Sequence, residues 1–360
     1  MNRESKLRLL RITFLALAVA SAPACGMVEV RIRRDSDQEK PTTGLPAETS
    51  STLALPGPTD GPPTPWPTPR PPEVTTVAVT PDGAVWYGFG LRTWPPSGGG
   101  GAIRVHSGEA TLYGTQEGLP DDNVQLLEVA PDGTLWAAAG CHVVRFDGQV
   151  WQSIGPVCTR VKGLVLDMAF APDGTLWMAG TAGLVQYDRQ TGTMRDRLDL
   201  SLGLTHSLAV GADGTIWMSG WTGSLGSYYV GRFDGSEWTT FDTTELFDDI
   251  VTRVVVGPDG LLWCATPYHG VVRYDGHTWK EFTTADDLPS NRIVDIAVAP
   301  DGMIWVLTDR GLAHLQGEQW RAVEGTPPGA KVIAFAADGT TWVGTDRGTV
   351  VQLEGVSGSR

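Results

Sequence analysis

From Glu73 onward the apolar positions of this chain recur with a period of two, in runs of four to seven residues separated by turn residues. That is the pattern of strands. One unit, residues 292 to 324, reads RIVDIAVAPDGMIWVLTDRGLAHLQGEQWRAVE. It divides into an apolar strand IVDIAVA, the turn PDG, the strand MIWVLT, the turn DRG, the strand LAHL, the turn QGE and the strand QWRAV. In the PDG turn Pro presets φ and Gly accepts a positive φ without steric cost.

The unit is one of seven. Its Asp-Gly-x-x-Trp core recurs at Asp82/Trp86, Asp132/Trp136, Asp173/Trp177, Asp213/Trp217, Asp259/Trp263, Asp301/Trp305 and Asp338/Trp342, with spacings of 50, 41, 40, 46, 42 and 37 residues. A period of about 40 residues holding only strands indicates the four-stranded blade of a propeller. In the first strand, A, the position five before the Asp carries Val77, Leu127, Met168, Leu208, Val254, Ile296 and Ile333. The position three before it carries Val79, Val129, Phe170, Val210, Val256, Val298 and Phe335. That face is therefore expected to pack against a neighbouring blade. Of the 14 tryptophans, seven close the Asp-Gly motif on strand B, and Trp151, Trp238, Trp279 and Trp320 start strand D. Such repetition is what packing between blades requires.

The expected fold is all-β, a seven-bladed β-propeller of four-stranded antiparallel blades spanning residues 63–356. The seventh blade lacks a strand D of its own after GTVVQLEG. Trp66 precedes Thr76 at nearly the distance at which strand-D tryptophans precede the next strand A, so an N-terminal latch strand near 63–70 is expected to close the ring. Prolines are tolerable in such an outer strand.

Composition extends the picture at the N-terminus. Arg3, Lys6, Arg8 and Arg11 precede the apolar run ITFLALAVAS and the small residues APA, so residues 1–24 read as a signal peptide. Cys25 follows directly. Small residues before a Cys resemble the box of bacterial lipoproteins, which implies acylation of Cys25 and a membrane-anchored, extracytoplasmic protein. Cleavage by ordinary signal peptidase would instead leave it secreted. Residues 25–62 form a Pro/Thr-rich linker; 11 of the 25 prolines lie between residues 27 and 72. Such a segment cannot bury enough apolar area to offset its ordering entropy. The formal net charge of −14 argues against nucleic acid or an anionic bilayer as a partner. The membrane is then touched only through a lipid on Cys25, and the propeller is expected to be a monomer.

With GLPDDNVQLLEVAPDGTLWAAAGCHVVRFDG and DLPSNRIVDIAVAPDGMIWVLTDRGLAHLQG written out, the chain resembles the two-component regulator propeller repeat family over about residues 73–356. The resemblance implies an extracytoplasmic sensor of the kind joined to a kinase or other output domain, some of which sense oligosaccharides. Here no output domain follows the repeats, so a stand-alone propeller is expected, without signalling of its own.

In a propeller the Asp-Gly turns lie on one face, and the longer B–C and D–A loops on the other, where a binding site belongs. These loops carry Trp94, Trp221, Tyr228, Tyr229, Tyr268 and His269 beside Asp121, Asp122, Asp248, Asp249, Asp286 and Asp287. Aromatics beside carboxylates suit a sugar or a cationic peptide. The column six before the Asp, at the loop-face mouth of the channel, reads Thr76, Leu126, Asp167, Ser207, Arg253, Asp295 and Val332. Asp167, Arg253 and Asp295 are charges where a core would want none; they reflect either a structural ion pair between Arg253 and Asp295 on adjacent blades or a ligand site in the channel mouth. Candidate ligand-binding residues are thus Asp167, Arg253, Asp295, Trp221, Tyr268 and His269. Cys141 and Cys158 flank the C–D hairpin of blade two and are expected to pair as a disulfide, whereas Cys264 reads as a buried apolar residue.

The chain also resembles the virginiamycin B lyases, whose propellers use a His base, a carboxylate and magnesium. His269 and His277 fall at opposite ends of one strand C, and no hydrolase, phosphate-loop or metal-spaced Cys/His motif occurs. The reading is therefore of a binding protein with no catalytic residues, cofactor or metal. Its partners are an oligosaccharide or peptide ligand or an envelope protein; a structural scaffold for protein–protein interaction and a metal-dependent lyase are the alternatives.

Overall fold

The computed structural model describes residues 29–30, 73–90, 100–199, 204–222 and 226–353. They form seven four-stranded antiparallel sheets, six of which take their strands in chain order from A to D. The A strands are Val74–Val79, Val124–Val129, Val165–Phe170, Thr205–Val210, Arg253–Val256, Ile293–Val298 and Ala330–Phe335. Strand A of each blade lies against strand A of the next, and Ala330–Phe335 meets Val74–Val79 to complete the circle. Val74, Val77, Val332 and Val350 share one buried cluster across that closure.

The seventh sheet runs Glu29–Val30, Val350–Leu353, Thr341–Thr345, Ala330–Phe335. Its outer strand is N-terminal and pairs antiparallel with Val350 and Val351. Glu29–Val30 lies inside the segment assigned above to the linker. The segment near 63–70, where the sequence placed the latch, lies outside the described residues, as do the signal peptide and Cys25. A chain beginning at Glu73 lacks this pairing and is expected to melt at least ~2 °C below the full chain. Equal melting temperatures by calorimetry would show that the strand contributes nothing to closure.

The Asp-Gly motif has the same structural task in every blade. The Asp Oδ1 accepts the backbone N–H two residues on, at Ala84, Thr134, Thr175, Thr215, Leu261, Met303 and Thr340. The glycine that follows takes φ between 79° and 87°, as at Gly260 and Gly339. There an L side chain is strained and glycine is not.

Each strand-B tryptophan reaches into the following blade. Trp86 meets Trp151 edge-on with ring centroids 5.7 Å apart, and Trp263 meets Trp320 at 6.3 Å. Trp177 with Trp238, and Trp217 with Trp279, share buried clusters in the same way. The position paired with Trp86, Trp217 and Trp263 on strand C is an arginine whose guanidinium stacks on the indole, 5.8 Å or less from the ring centroid. Aromatic edge contacts and cation–π stacking supplement the area buried between blades. The eleven repeat tryptophans are thus mortar between blades.

Candidate functional site

At the loop face, strand A of six blades is bulged one residue before the channel-mouth column, for example between Val165 and Asp167. The bulge aims the column's side chains at the next blade. Thr76 Oγ1 accepts the N–H of Leu127, Ser207 Oγ that of Val254, Asp167 Oδ2 that of Leu208, and Asp295 Oδ2 that of Ile333. The distances run from 2.7 to 3.2 Å. Each bond joins one blade to its successor.

Three blades cannot supply such an acceptor, because the column holds Leu126, Arg253 and Val332 there, and the first two of these gaps are covered from the other side. In the following blade the Asp itself covers the gap: Asp167 Oδ1 accepts the N–H of Met168 at 2.9 Å, and Asp295 Oδ1 that of Ile296 at 3.0 Å. Both carboxylates therefore bridge, one oxygen to their own strand and one to the next blade. Ser207 Oγ also donates to Asp167 Oδ2 at 2.8 Å.

Arg253 lies among these carboxylates, its Nε 3.1 Å from Asp295 Oδ1. The Asp295 side chain is 4% exposed and that of Arg253 46%, so the guanidinium meets water in the channel while its partner does not. Asp167 and Glu128 also lie within electrostatic reach of Arg253. Burial pushes the carboxyls of Asp167 and Asp295 up from their ordinary range, and Arg253 and the backbone donors pull them back. For Glu128 burial dominates, the negative Asp167 adds to it, and the carboxyl is pushed up to about 8.

Glu128 was not among the residues singled out by sequence, although a signal existed. The column four before the Asp reads Ala78, Glu128, Ala169, Ala209, Val255, Ala297 and Ala334. One acid stands among six small apolar residues, one layer deeper in the channel than Asp167.

On the rim, Trp221 ends strand B of blade four (Ile216–Trp221) and is 39% exposed; Tyr268, in the B–C loop of blade five, is 50% exposed. That loop is held by Asp249, which is only 5% exposed. Asp249 Oδ2 accepts the N–H of Tyr268 at 2.9 Å and that of His269 at 3.1 Å, and lies 3.2 Å from His269 Nδ1. Gly270 follows at φ +75°, where a Cβ would fall 2.1 Å from the Phe282 carbonyl oxygen, so only glycine lets the loop return. Tyr268 stands exposed on this loop, which follows the strand paired with the one that carries Arg253.

The structure thus brings Asp167, Arg253 and Asp295 together with Glu128 in the channel mouth, and sets Trp221, Tyr268 and His269 on the rim of blades four and five. Trp94 lies outside the described residues. Most of the loop carboxylates serve their own turns. Asp122 accepts the N–H of Thr115, Asp121 that of Asn123 and Asp286 that of Thr283, each within 2.9 Å. Asp248 and Asp287 sit at positive φ closing short helical turns. The rim therefore offers aromatic faces more than free carboxylates. Cys141 and Cys158 are joined in a disulfide on the same face at blade two, and Cys264 is buried and free. His269 and His277 flank strand C of blade five (Val271–Tyr274) at its two ends. Among the described residues no group of three His, Cys, Asp or Glu side chains is arranged to hold a metal ion, and no helix is long and apolar enough to cross a membrane.

The fold is a seven-bladed β-propeller with a charged channel mouth and exposed aromatic side chains on the rim of the same face. Residues 287–310 match the family model of the two component regulator propeller. Among solved structures, the extracellular domain of BT3049 from B. thetaiotaomicron, assigned to a hybrid two component system, is similar with a TM-score of 0.63 at 18% identity. The likeness covers 79% of this chain and 39% of that one, so the chain spans well under half of the BT3049 domain. Virginiamycin B lyase from Staphylococcus aureus is similar with a TM-score of 0.61 at 16% identity, over 78% of this chain and 94% of the enzyme. YCF48, solved bound to D1 peptide, is similar with a TM-score of 0.59 at 15% identity, over 79% and 94%. At these identities the likeness is one of fold. No curated protein matches the sequence.

Proposed function

We propose that this chain is an extracytoplasmic binding or sensing propeller, tethered by a lipid on Cys25, that recognises a glycan or peptide through its loop face. One observation carries the reading: where the exposed apolar side chains lie. Of the seven large apolar residues exposed among the described ones, Leu164, Trp221, Leu246, Tyr268 and Val294 are on the loop face. The other two, Leu112 and Val150, are on an outer strand and a hairpin. Aromatic faces on the rim and an exposed Arg253 side chain in the channel mouth suit the apolar face of a sugar ring or a peptide group with a carbonyl to accept from the guanidinium. The reading also draws support from the repeat type and from the extracellular origin of the BT3049 domain. It assigns no catalytic role, because Asp249, the one carboxylate beside His269, already holds the loop backbone.

A thermal-shift screen of the propeller against oligosaccharides, peptides and divalent ions tests this. A ligand present at ~100 times its Kd should raise the melting temperature by roughly 5 °C or more. Tyr268→Ala, on an exposed loop tip, should abolish most of that shift, and Arg253→Gln should reduce it. No shift with any class, or a full shift in Tyr268→Ala, would overturn the proposal. Binding confined to protein partners would favour the scaffold reading, and metal-dependent turnover lost in His269→Ala the lyase reading.

A further inference from the structure

The opposite face, where the Asp-Gly turns and C–D hairpins lie, carries a repeated slot between blades, and one slot differs from its neighbour. Between blades five and six, Arg273 stacks on Trp263 and Phe282, each ring centroid 5.4 Å from its guanidinium. Glu318, on the C–D hairpin of blade six, enters this slot. Its Oε1 lies 2.9 Å from Arg273 Nη1, and Lys280 binds the other oxygen. A carboxylate thus closes the slot from the next blade.

Between blades four and five the same frame recurs. Arg232 stacks on Trp217 at 5.8 Å, with Phe241 in the place of Phe282. Two residues before the strand-D tryptophan, however, His277 occupies the place of Glu318, and one residue after it Thr239 occupies that of Lys280. No carboxylate of blade five reaches Arg232, and the slot stands open as a cavity of about 370 Å³.

Arg232 is exceptional among its equivalents. Arg104 is paired with Asp82, Arg145 donates twice to Gln152, and Arg273 is paired with Glu318. Arg232 has no hydrogen bond or ion pair with any described residue, yet its side chain is half-buried. A guanidinium carries five N–H donors, and the stack on Trp217 satisfies none of them.

Two carboxylates, Asp213 and Asp275, lie on the rim and are turned to their own hairpins; Asp213, and Asp234 on the blade-four hairpin, lie within electrostatic reach of Arg232 without hydrogen-bonding to it. Asp213 accepts from the N–H and the hydroxyl of Thr215. Asp275 accepts from the N–H groups of His277 and Thr278 and from the Thr278 hydroxyl. Their charge disfavours a polyanion such as phosphate, but they leave the donors of Arg232 unused. The cavity wants one carboxylate on an apolar stem lying against Trp217, Phe241 and Tyr274.

We propose that the blade-four/blade-five cavity is a docking site for a single acidic side chain, taking from a ligand or partner the carboxylate that Glu318 supplies internally one blade further on. Arg232 grips it in the manner of Arg273, and the aromatic walls take its methylene stem. The site lies on the face opposite the loop-face site, so the two stand or fall separately.

N-acetyl-glutamate amide, Ac-Glu-NH2, is the probe, followed by the indole N–H resonance of Trp217 in the full propeller. Saturable perturbation is expected, with at least ~10-fold weaker binding of Ac-Gln-NH2, since loss of one charge-assisted bidentate contact amounts to a factor of this order. Arg232→Gln should weaken Ac-Glu-NH2 binding as much. His277→Glu restores the internal carboxylate and should block the probe at least ~10-fold while raising the melting temperature. The proposal is overturned if Ac-Glu-NH2 leaves the resonance unmoved, if Ac-Gln-NH2 binds equally well, or if His277→Glu binds the probe as the parent does. His277→Glu keeps the test decisive should Arg232→Gln fold poorly.

Discussion

Replacing Asp295 by Ala is expected to lower the free energy of unfolding by about 3 kcal/mol, among the largest single-residue losses in the molecule. The side chain is almost wholly buried and does three things at once. It accepts the N–H of Ile333 in the next blade at 2.9 Å, accepts the N–H of Ile296 at 3.0 Å, and pairs with Arg253 at 3.1 Å. Removing it leaves two backbone donors without acceptors and a guanidinium without its counter-charge. Channel water reaches Arg253 and softens the last of these, which places the loss at the lower end of the range for a broken buried pair. Asp295→Asn keeps one acceptor oxygen and should lose less than the Ala variant. Equilibrium unfolding in urea measures both. A loss of less than ~1 kcal/mol in Asp295→Ala would mean that water replaces the carboxylate at every donor.

Stability is also expected to fall as pH rises from about 4.5 to about 8, through Glu128. Its carboxyl, pushed up to about 8 by burial and by Asp167, keeps a proton in the folded chain that the unfolded chain releases near 4.5. Between those values unfolding releases a proton, so each step up in pH favours the unfolded state. Complete linkage over that window corresponds to ~5 kcal/mol, an upper bound that channel water lowers to a few kcal/mol. Glu128→Gln removes the titration. It should match the parent at pH 5 and exceed it in melting temperature by several degrees at pH 8.5. Melting curves that keep a constant separation across this range would show that Glu128 is already ionised at neutral pH. The two experiments probe different layers of one channel: Asp295 is a tie between blades, and Glu128 is a charge that the fold tolerates in neutral form.

That Asp167 and Asp295 would be unusual was legible in the sequence, because both are charges in a strand that otherwise faces a core. What they do was not. Each accepts a backbone N–H from a blade 38 or more residues away, and which N–H depends on the bulge in strand A and on the angle between blades. Neither leaves a trace in a period-two pattern. Glu128 was visible only by aligning a column of alanines. The 370 Å³ cavity was invisible, since Arg232 and Arg273 occupy the same repeat position and differ in what strand D and the following hairpin bring to them.

The sequence by itself determined the seven blades, the turn role of the Asp-Gly motif and the packing role of the tryptophans. These follow from local alternation, turn chemistry and repetition, which act within one strand pair and are copied around the ring. Only the tertiary structure decided which charges meet in the channel, that Asp249 locks the Tyr268 loop, and that Arg232 has no hydrogen bond or ion pair among the described residues. Those facts depend on register between blades that are distant in sequence. There a hydrogen bond is made or lost by a shift of one residue, and a cavity opens where two long side chains give way to shorter ones.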